Sequence, residues 1–297
     1  MASQDREDGD MPRLSTFERH GLVFDVTDAG PRDGVPVVLL HGFPQTSTSW
    51  VAVAELLNSQ GFRTLAPDQR GYSPGATPTR RRDYRLSELV ADAVALIEAA
   101  GAGPVHLVGH DWGAAVAWGV AAARPDLVRT LTAVSVPHPL AFVLSMATTT
   151  QAFKSWYMLA FQLPGIPELL VRDKTGLGYR GLLSSGQTPA NATRDLDQLH
   201  RLGGARTALN WYRGMPFIRP AVLRRKIPVP TLQVWSDGDT AVGRRGHELS
   251  RRFVTGPWEL RTLEGVSHWI PDEAPTELTE LLTEHFAKHA TDAPRSS

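Results

Sequence analysis

Val108-Gly109-His110-Asp111-Trp112-Gly113-Ala114 is the stretch whose geometry decides the fold. A mostly apolar run, Val105 to Val108 with His106 as its one polar residue, leads into it. Two glycines stand in the spacing Gly-x-Asp-x-Gly, and an alanine-rich helical pattern starts at Ala114. Strand, tight turn and helix in that order make the layout of a nucleophile elbow, where small residues let a sharp turn lift one side chain above a sheet edge. Serine is the usual occupant; here it is Asp111. A plainer alternative is a βα turn that needs glycine and uses Asp111 as a helix N-cap, a role aspartate fills well.

Upstream of this turn, Leu22-Val23-Phe24 reads as an early strand. Pro36 to Leu40 reads as a buried strand, by its β-branched apolar run, and ends at His41-Gly42-Phe43-Pro44. A helix is predicted over Trp50 to Asn58, then a strand over Arg63 to Ala66 and a turn-rich segment to Gly75. An amphipathic helix follows, with Ser87 as N-cap, through Ala99. Downstream, a helix to about Arg124 and a strand over Leu131 to Val136 complete a βαβαβ alternation, which implies a parallel sheet covered by helices.

The pattern changes after Pro137-His138-Pro139. Residues 140–221 show short helical pieces, many aromatics and no buried strand. Alternation returns with Val229 to Trp235, a helix near Gly246 to Phe253, a strand over Trp258 to Leu263 and a last helix from Pro275 to Ala287. The expected organisation is an α/β core in two parts, 15–139 and 222–290, interrupted by a helical cap at 140–221, with disordered tails at 1–14 and 291–297. Open parallel sheets bind ligands at the carboxyl ends of their strands. The cap is therefore expected above Asp111.

Composition narrows the function. The 297 residues are 42% hydrophobic, enough for a large core, and carry 31 basic and 31 acidic side chains. Balanced charge gives no support to a nucleic-acid or anionic-membrane partner and favours a small neutral molecule. With no cysteine, disulfides, thiolate catalysis and Cys-ligated zinc drop out. The polar, acidic start has no signal-like apolar region, and no apolar run approaches the ~18 residues of a spanning helix. A cytoplasmic protein without a membrane partner is expected; a homodimer stays open.

A nucleophile at Asp111 calls for an acid and a histidine further along, in that chain order. Asp237 and Asp239 lie just past a predicted strand in Ser236-Asp237-Gly238-Asp239, and Asp239 is the preferred acid. Asp237 fits an Asx-type turn bond. Ser267-His268-Trp269 supplies the imidazole. Oxyanion donors are expected from the backbone N–H groups of Phe43 and Trp112. Aspartate in place of serine has a chemical meaning. Attack by serine on a saturated carbon leaves an ether that water cannot cleave afterwards, whereas a carboxylate leaves an ester with a carbonyl that water can attack. His268 would activate that water, with Asp239 fixing its tautomer. No metal or cofactor is required.

His41-Gly42-Phe43-Pro44, Asp68-Gln69-Arg70-Gly71-Tyr72, Gly109-His110-Asp111-Trp112-Gly113 and Ser267-His268-Trp269 together resemble the signatures of the soluble, capped epoxide hydrolases of the α/β-hydrolase superfamily. The resemblance covers about residues 15 to 290. It implies an α/β-hydrolase fold, an enzyme that converts an epoxide to a vicinal diol, and two cap tyrosines that hold and protonate the epoxide oxygen. The segment Trp156 to Gly165 is similar to the one bearing the first, giving Tyr157. Asn210-Trp211-Tyr212-Arg213 is similar to the one bearing the second, giving Tyr212. Phe43, Trp112, Trp156, Phe161 and Trp211 are expected to line an apolar pocket, with Phe217 among the cap aromatics. Haloalkane dehalogenases typically carry asparagine where Phe43 stands, and fluoroacetate dehalogenases arginine where Trp112 stands; both departures favour an epoxide over a halide. A dehalogenase using the same aspartate, and a ligand-binding protein on a retired hydrolase fold, are the alternatives.

Overall fold

The computed structural model describes residues 13–172, 175–201, 205–219, 221 and 224–290. The expected tails lie outside these residues, apart from Arg13 and Leu14. Those two are anchored: Arg13 donates to the Gly30 carbonyl (2.7 Å) and the Leu14 N–H to Asp28 (2.9 Å). Both are therefore held against β2 and the turn that follows it.

The strands are β1 (Thr16–Arg19), β2 (Leu22–Ala29), β3 (Pro36–Leu40), β4 (Arg63–Pro67), β5 (Val105–His110), β6 (Val128–Val134), β7 (Thr231–Ser236) and β8 (Trp258–Leu263). They form one eight-stranded sheet in the order β1-β2-β4-β3-β5-β6-β7-β8. Pairing is antiparallel for β1–β2 and β2–β4 and parallel for the rest. This is an α/β-hydrolase architecture.

Why β3 lacks polar alternation follows from burial on both faces. Val37 and Leu39 point to one side, where they join Val53 and Leu57 of α1 (Val51–Ser59) and Leu278, Leu282 and Phe286 of the C-terminal helix Pro275–Lys288. Val38 and Leu40 point to the other side. There they join Leu89, Leu96 and Ile97 of α2 (Leu86–Ala100) and Val116 and Val120 of α3 (Trp112–Ala123). The period-2 geometry of a strand sorts these four residues into two cores.

Three local expectations need correction. The hairpin strand β1 was not expected, because four residues with one buried side chain carry little periodic signal. Helix α2 starts at Leu86 with Arg85 extended before it and no side-chain cap, so Ser87 lies inside the first turn; its hydroxyl instead accepts from Arg85 Nε (3.0 Å). Strand β6 runs Val128–Val134 and stops at Ser135, whose φ of 63° bends the chain out of the sheet.

Between β6 and β7 the chain forms a helical insertion: α4 (Pro139–Thr148), α5 (Gln151–Lys154), α6 (Trp156–Ala160), α7 (Ile166–Arg172), α8 (Leu177–Ser184), α9 (Pro189–Arg201) and α10 (Arg206–Arg213). β6 and β7 are neighbours in parallel register, Leu131 opposite Thr231. The insertion therefore leaves and re-enters the core at adjacent strands.

Candidate active site

Asp111 sits between β5 and α3 with φ 51° and ψ −121°. A non-glycine residue in that region costs on the order of 1–3 kcal/mol and persists only where its surroundings impose it. The neighbouring glycines show how they do. A Cβ on Gly113 would lie 2.1 Å from the Leu40 carbonyl oxygen, and one on Gly109 would lie 2.2 Å from the Gly113 carbonyl oxygen. The turn is wedged against the end of β3 with no room for a methyl group. Asp111 does precede α3, but it makes no side-chain capping bond.

Its carboxylate is held elsewhere. The Phe43 N–H donates to Asp111 Oδ1 at 2.8 Å, and the Trp112 N–H also serves the carboxylate. His268 Nε2 lies 3.6 Å from Oδ2. Burial pushes the Asp111 pKa upward, but His268, His110 and the Trp112 N–H outweigh it and hold the carboxyl below its usual range. The group is ionised at neutral pH. Phe43 reaches it because His41 pins the loop: its Nε2 accepts from the Gln69 N–H (3.1 Å), while the Gln69 side chain donates to the His41 carbonyl (2.6 Å).

His268 comes from the loop after β8 and Asp239 from the loop after β7. His268 Nδ1 is 2.7 Å from Asp239 Oδ2, and the other oxygen of Asp239 accepts from the Ala241 and Val242 N–H groups at 2.7 and 2.8 Å. Asp237 faces away and accepts from the Gly265 N–H at 2.7 Å, tying the two loops together. Burial alone would lower the His268 pKa. The charges of Asp239 and Asp111 on either side override it and raise the value to about 10.

The insertion supplies the opposite wall. The rings of Tyr157 and Tyr212 stand 6.1 Å apart, and Phe161 packs against both at 5.5 and 4.9 Å. Phe43 and Trp112 meet the Tyr212 ring edge-on at 5.3 and 5.2 Å. Tyr212 is buried and Tyr157 half-buried, both close enough to Asp111 to feel its charge; withdrawal from water first, then the Asp111 charge for Tyr157 and the Tyr157 and Asp111 charges for Tyr212, raise their pKa values, so both phenols stay protonated. Tyr212 beside Tyr157, and Trp112 beside Tyr212, act in the opposite direction and partly offset that rise.

Three of the cap aromatics expected at the pocket, Trp156, Phe217 and Trp211, are elsewhere. Trp156 is 67% exposed on the outer face of α6, and Phe217 is likewise exposed. Trp211 is buried behind the site, where its indole N–H donates to the Arg70 carbonyl (2.7 Å) and its ring packs on Tyr72. Neighbouring residues on a helix point about 100° apart, so with Tyr157 and Tyr212 facing inward their predecessors cannot. Residues not foreseen include His110, Gln45 and Ser135. Ser135 Oγ donates to the His268 carbonyl (2.8 Å), and His110 Nε2 lies 2.9 Å from the same oxygen. His110 stands inside the elbow motif and Gln45 directly after Pro44, so adjacency to the motifs was the available signal.

Comparison with known proteins agrees with this architecture. The family model for the alpha/beta hydrolase fold matches residues 35–275. Epoxide hydrolase 2 of Caenorhabditis elegans is 34% identical over 90% of this chain and 78% of its own length. Epoxide hydrolase A of Mycobacterium tuberculosis is 30% identical over 92% of this chain and 97% of its own. Among solved structures, an epoxide hydrolase from metagenomes of hot environments superposes with a TM-score of 0.80 at 28% identity, covering 92% of this chain and 98% of that one. The chain belongs to the α/β-hydrolase family. Within that family, its curated relatives place it in the epoxide hydrolase branch.

Proposed function

We propose that the protein hydrolyses an apolar epoxide to a vicinal diol through an aspartyl ester, with residues 140–221 acting as a cap over the site. The observation that carries this reading is the Asp111 carboxylate, ionised and held by the Phe43 N–H, facing His268 on one side and the paired phenols of Tyr157 and Tyr212 on the other.

Oδ2 of Asp111 attacks one carbon of the epoxide ring. The carbon–oxygen bond of the ring breaks, and a tyrosine hydroxyl passes its proton to the departing alkoxide, a base too strong to leave unprotonated. The ester carbonyl is then Oδ1, already at the Phe43 N–H, with the Trp112 N–H beside the same carboxylate. Loss of the Asp111 charge removes one of the two carboxylates that keep His268 protonated, so the imidazole can give up its proton, which restores the tyrosine. Neutral His268 takes a proton from water as the water oxygen attacks Cγ. The oxyanion on Oδ1 is stabilised by the two N–H groups. As the Cγ–Oδ2 bond breaks, the second proton of the water passes from the new hydroxyl on Cγ to the departing diol oxygen, which regenerates the carboxylate and leaves the first proton on His268. Atoms and charges return to the resting state with no cofactor. Phe43, Trp112 and Phe161 line the substrate side.

A single turnover in ¹⁸O-water tests the reading. The first diol is expected to be unlabelled, because its new oxygen is Oδ2 of Asp111. Label in that diol would replace the ester pathway by direct attack of water.

A further inference from the structure

We propose that Arg194 is a positioning residue that sets His268 and the oxyanion loop from the cap, and that it acts on ester hydrolysis rather than on ring opening. The inference rests on the covalent pathway above. Arg194 lies in α9. Its Nη1 and Nη2 donate to Asp272 Oδ1 and Oδ2, both at 2.8 Å, a bidentate pair that fixes angle as well as distance. Its Nε donates to the buried Asp195 at 2.8 Å, and Gln187 donates to the same carboxylate at 2.7 Å, so the guanidinium itself is braced from within the cap.

What lies beyond Asp272 separates this contact from an ordinary fastening of the cap. Asp272 Oδ2 also accepts from Gln45 Nε2 at 2.7 Å. Gln45 is fully buried and follows Phe43 and Pro44 in the oxyanion loop. Its Oε1 is 3.2 Å from His110 Nδ1, and His110 Nε2 is 2.9 Å from the His268 carbonyl. One polar chain, half-buried at Arg194 and Asp272 and buried from Gln45 inward, therefore runs from the cap through the oxyanion loop, past the residue before the nucleophile, to the backbone of the catalytic histidine. Buried polar groups are costly when unpaired, so displacing one member disturbs its neighbours.

Two more cap contacts converge on the same loop. Trp269 Nε1 donates to Ser185 Oγ at 3.0 Å, and Gly186 packs so closely on Ser267 that a Cβ there would lie 2.2 Å from the serine Cβ. Residues 267, 269 and 272 are thus all set by residues 185–194, and His268 lies between them. Ring opening needs Asp111 and the tyrosines. Ester hydrolysis also needs His268 in register with Cγ of Asp111, which makes the second step the sensitive one.

The test uses the full-length enzyme and a styrene oxide probe, with rapid quench and intact-protein mass spectrometry following the ester. In Arg194→Gln, ester formation is expected within about two-fold of wild type and ester breakdown slower by about 10-fold or more, the scale of a small misalignment, so the ester accumulates. Asp272→Asn is expected to show the same imbalance, and Arg194→Lys a smaller one. If the glutamine variant does not fold, the lysine variant, which keeps the charge without the bidentate geometry, is measured instead. Equal slowing of both steps, or unchanged steps with only a lower melting temperature, would reduce Arg194 to a fastening. A wild-type enzyme that never carries the ester mass would overturn the covalent pathway and this proposal with it.

Discussion

Asp111 Oδ2 and His268 Nε2 stand 3.6 Å apart, too far for a strong hydrogen bond and close enough for each charge to stabilise the other. The gap leaves Oδ2 available to attack while the imidazolium waits beside it. His268→Gln is expected to retain ester formation and to lose turnover by about 10²-fold or more, the usual worth of a positioned general base. Mass spectrometry of the variant after mixing with an epoxide would show the added mass of the substrate.

The same pair predicts a pH response. A histidine with a pKa of about 10 in the folded protein, against about 6.5 unfolded, adds stability that is complete below about pH 6.5 and is lost as pH rises through 10. Melting temperature is expected to fall across that window, and less so in Asp239→Asn. In turnover, the ester form has lost the Asp111 charge. The kcat profile is therefore expected to rise with an apparent pKa below the value that ¹⁵N NMR gives for His268 in the free enzyme.

Removing one phenol leaves one donor for the alkoxide. Tyr157→Phe and Tyr212→Phe are each expected to slow ester formation by about 10²-fold, at the low end for general acid catalysis, and the double variant to lose measurable epoxide turnover. Single-turnover rates check this. A double variant as fast as wild type would leave the tyrosines as packing aromatics.

Gly113 and Gly42 separate folding from chemistry. A Cβ at Gly113 meets the backbone oxygen of Leu40, which cannot move without shifting β3, so Gly113→Ala is expected to destabilise by about 1–3 kcal/mol in denaturant titrations. A Cβ at Gly42 meets Asp111 Cβ at 2.4 Å and Oδ1 at 2.5 Å. Gly42→Ala is expected to displace the carboxylate and to abolish ester formation.

Trp156→Ala and Phe161→Ala form a contrasting pair. Trp156 is turned to the outside, so its removal is expected to leave kcat/KM within about two-fold, in line with the small effects of surface changes. Phe161 touches both tyrosines and Phe43, and its removal is expected to lower kcat/KM clearly.

Sequence revealed the core of this site because steric demands leave a written trace. A turn that cannot hold a methyl group must be glycine, so Gly109 and Gly113 mark Asp111, and strand-end loops mark Asp239 and His268. The cap side was legible only by resemblance. Tyr157 and Tyr212 follow tryptophans of equal apolar character, and composition does not record which of two adjacent helical residues faces inward. That choice is made by tertiary contacts, such as Trp211 with the Arg70 carbonyl. The polar chain through Gln45 and His110 was hidden for a related reason. Its members are far apart in sequence and meet only when β3, β5 and the His268 loop are assembled.

β6 and β7 are adjacent and parallel, so the chain leaves the sheet at the carboxyl end of β6, Val134, and re-enters at the amino end of β7, Thr231, about three strand residues or roughly 10 Å back along the sheet. A segment whose two ends are fixed by paired strands can be exchanged as a module, since the core keeps the same closure geometry whatever it carries. Recombination of caps between related enzymes is then governed by compatibility rather than by connection. A donor cap without an arginine opposite Asp272 would connect correctly and dock out of step, so chimaeras should be matched at that pair before substrate range is compared.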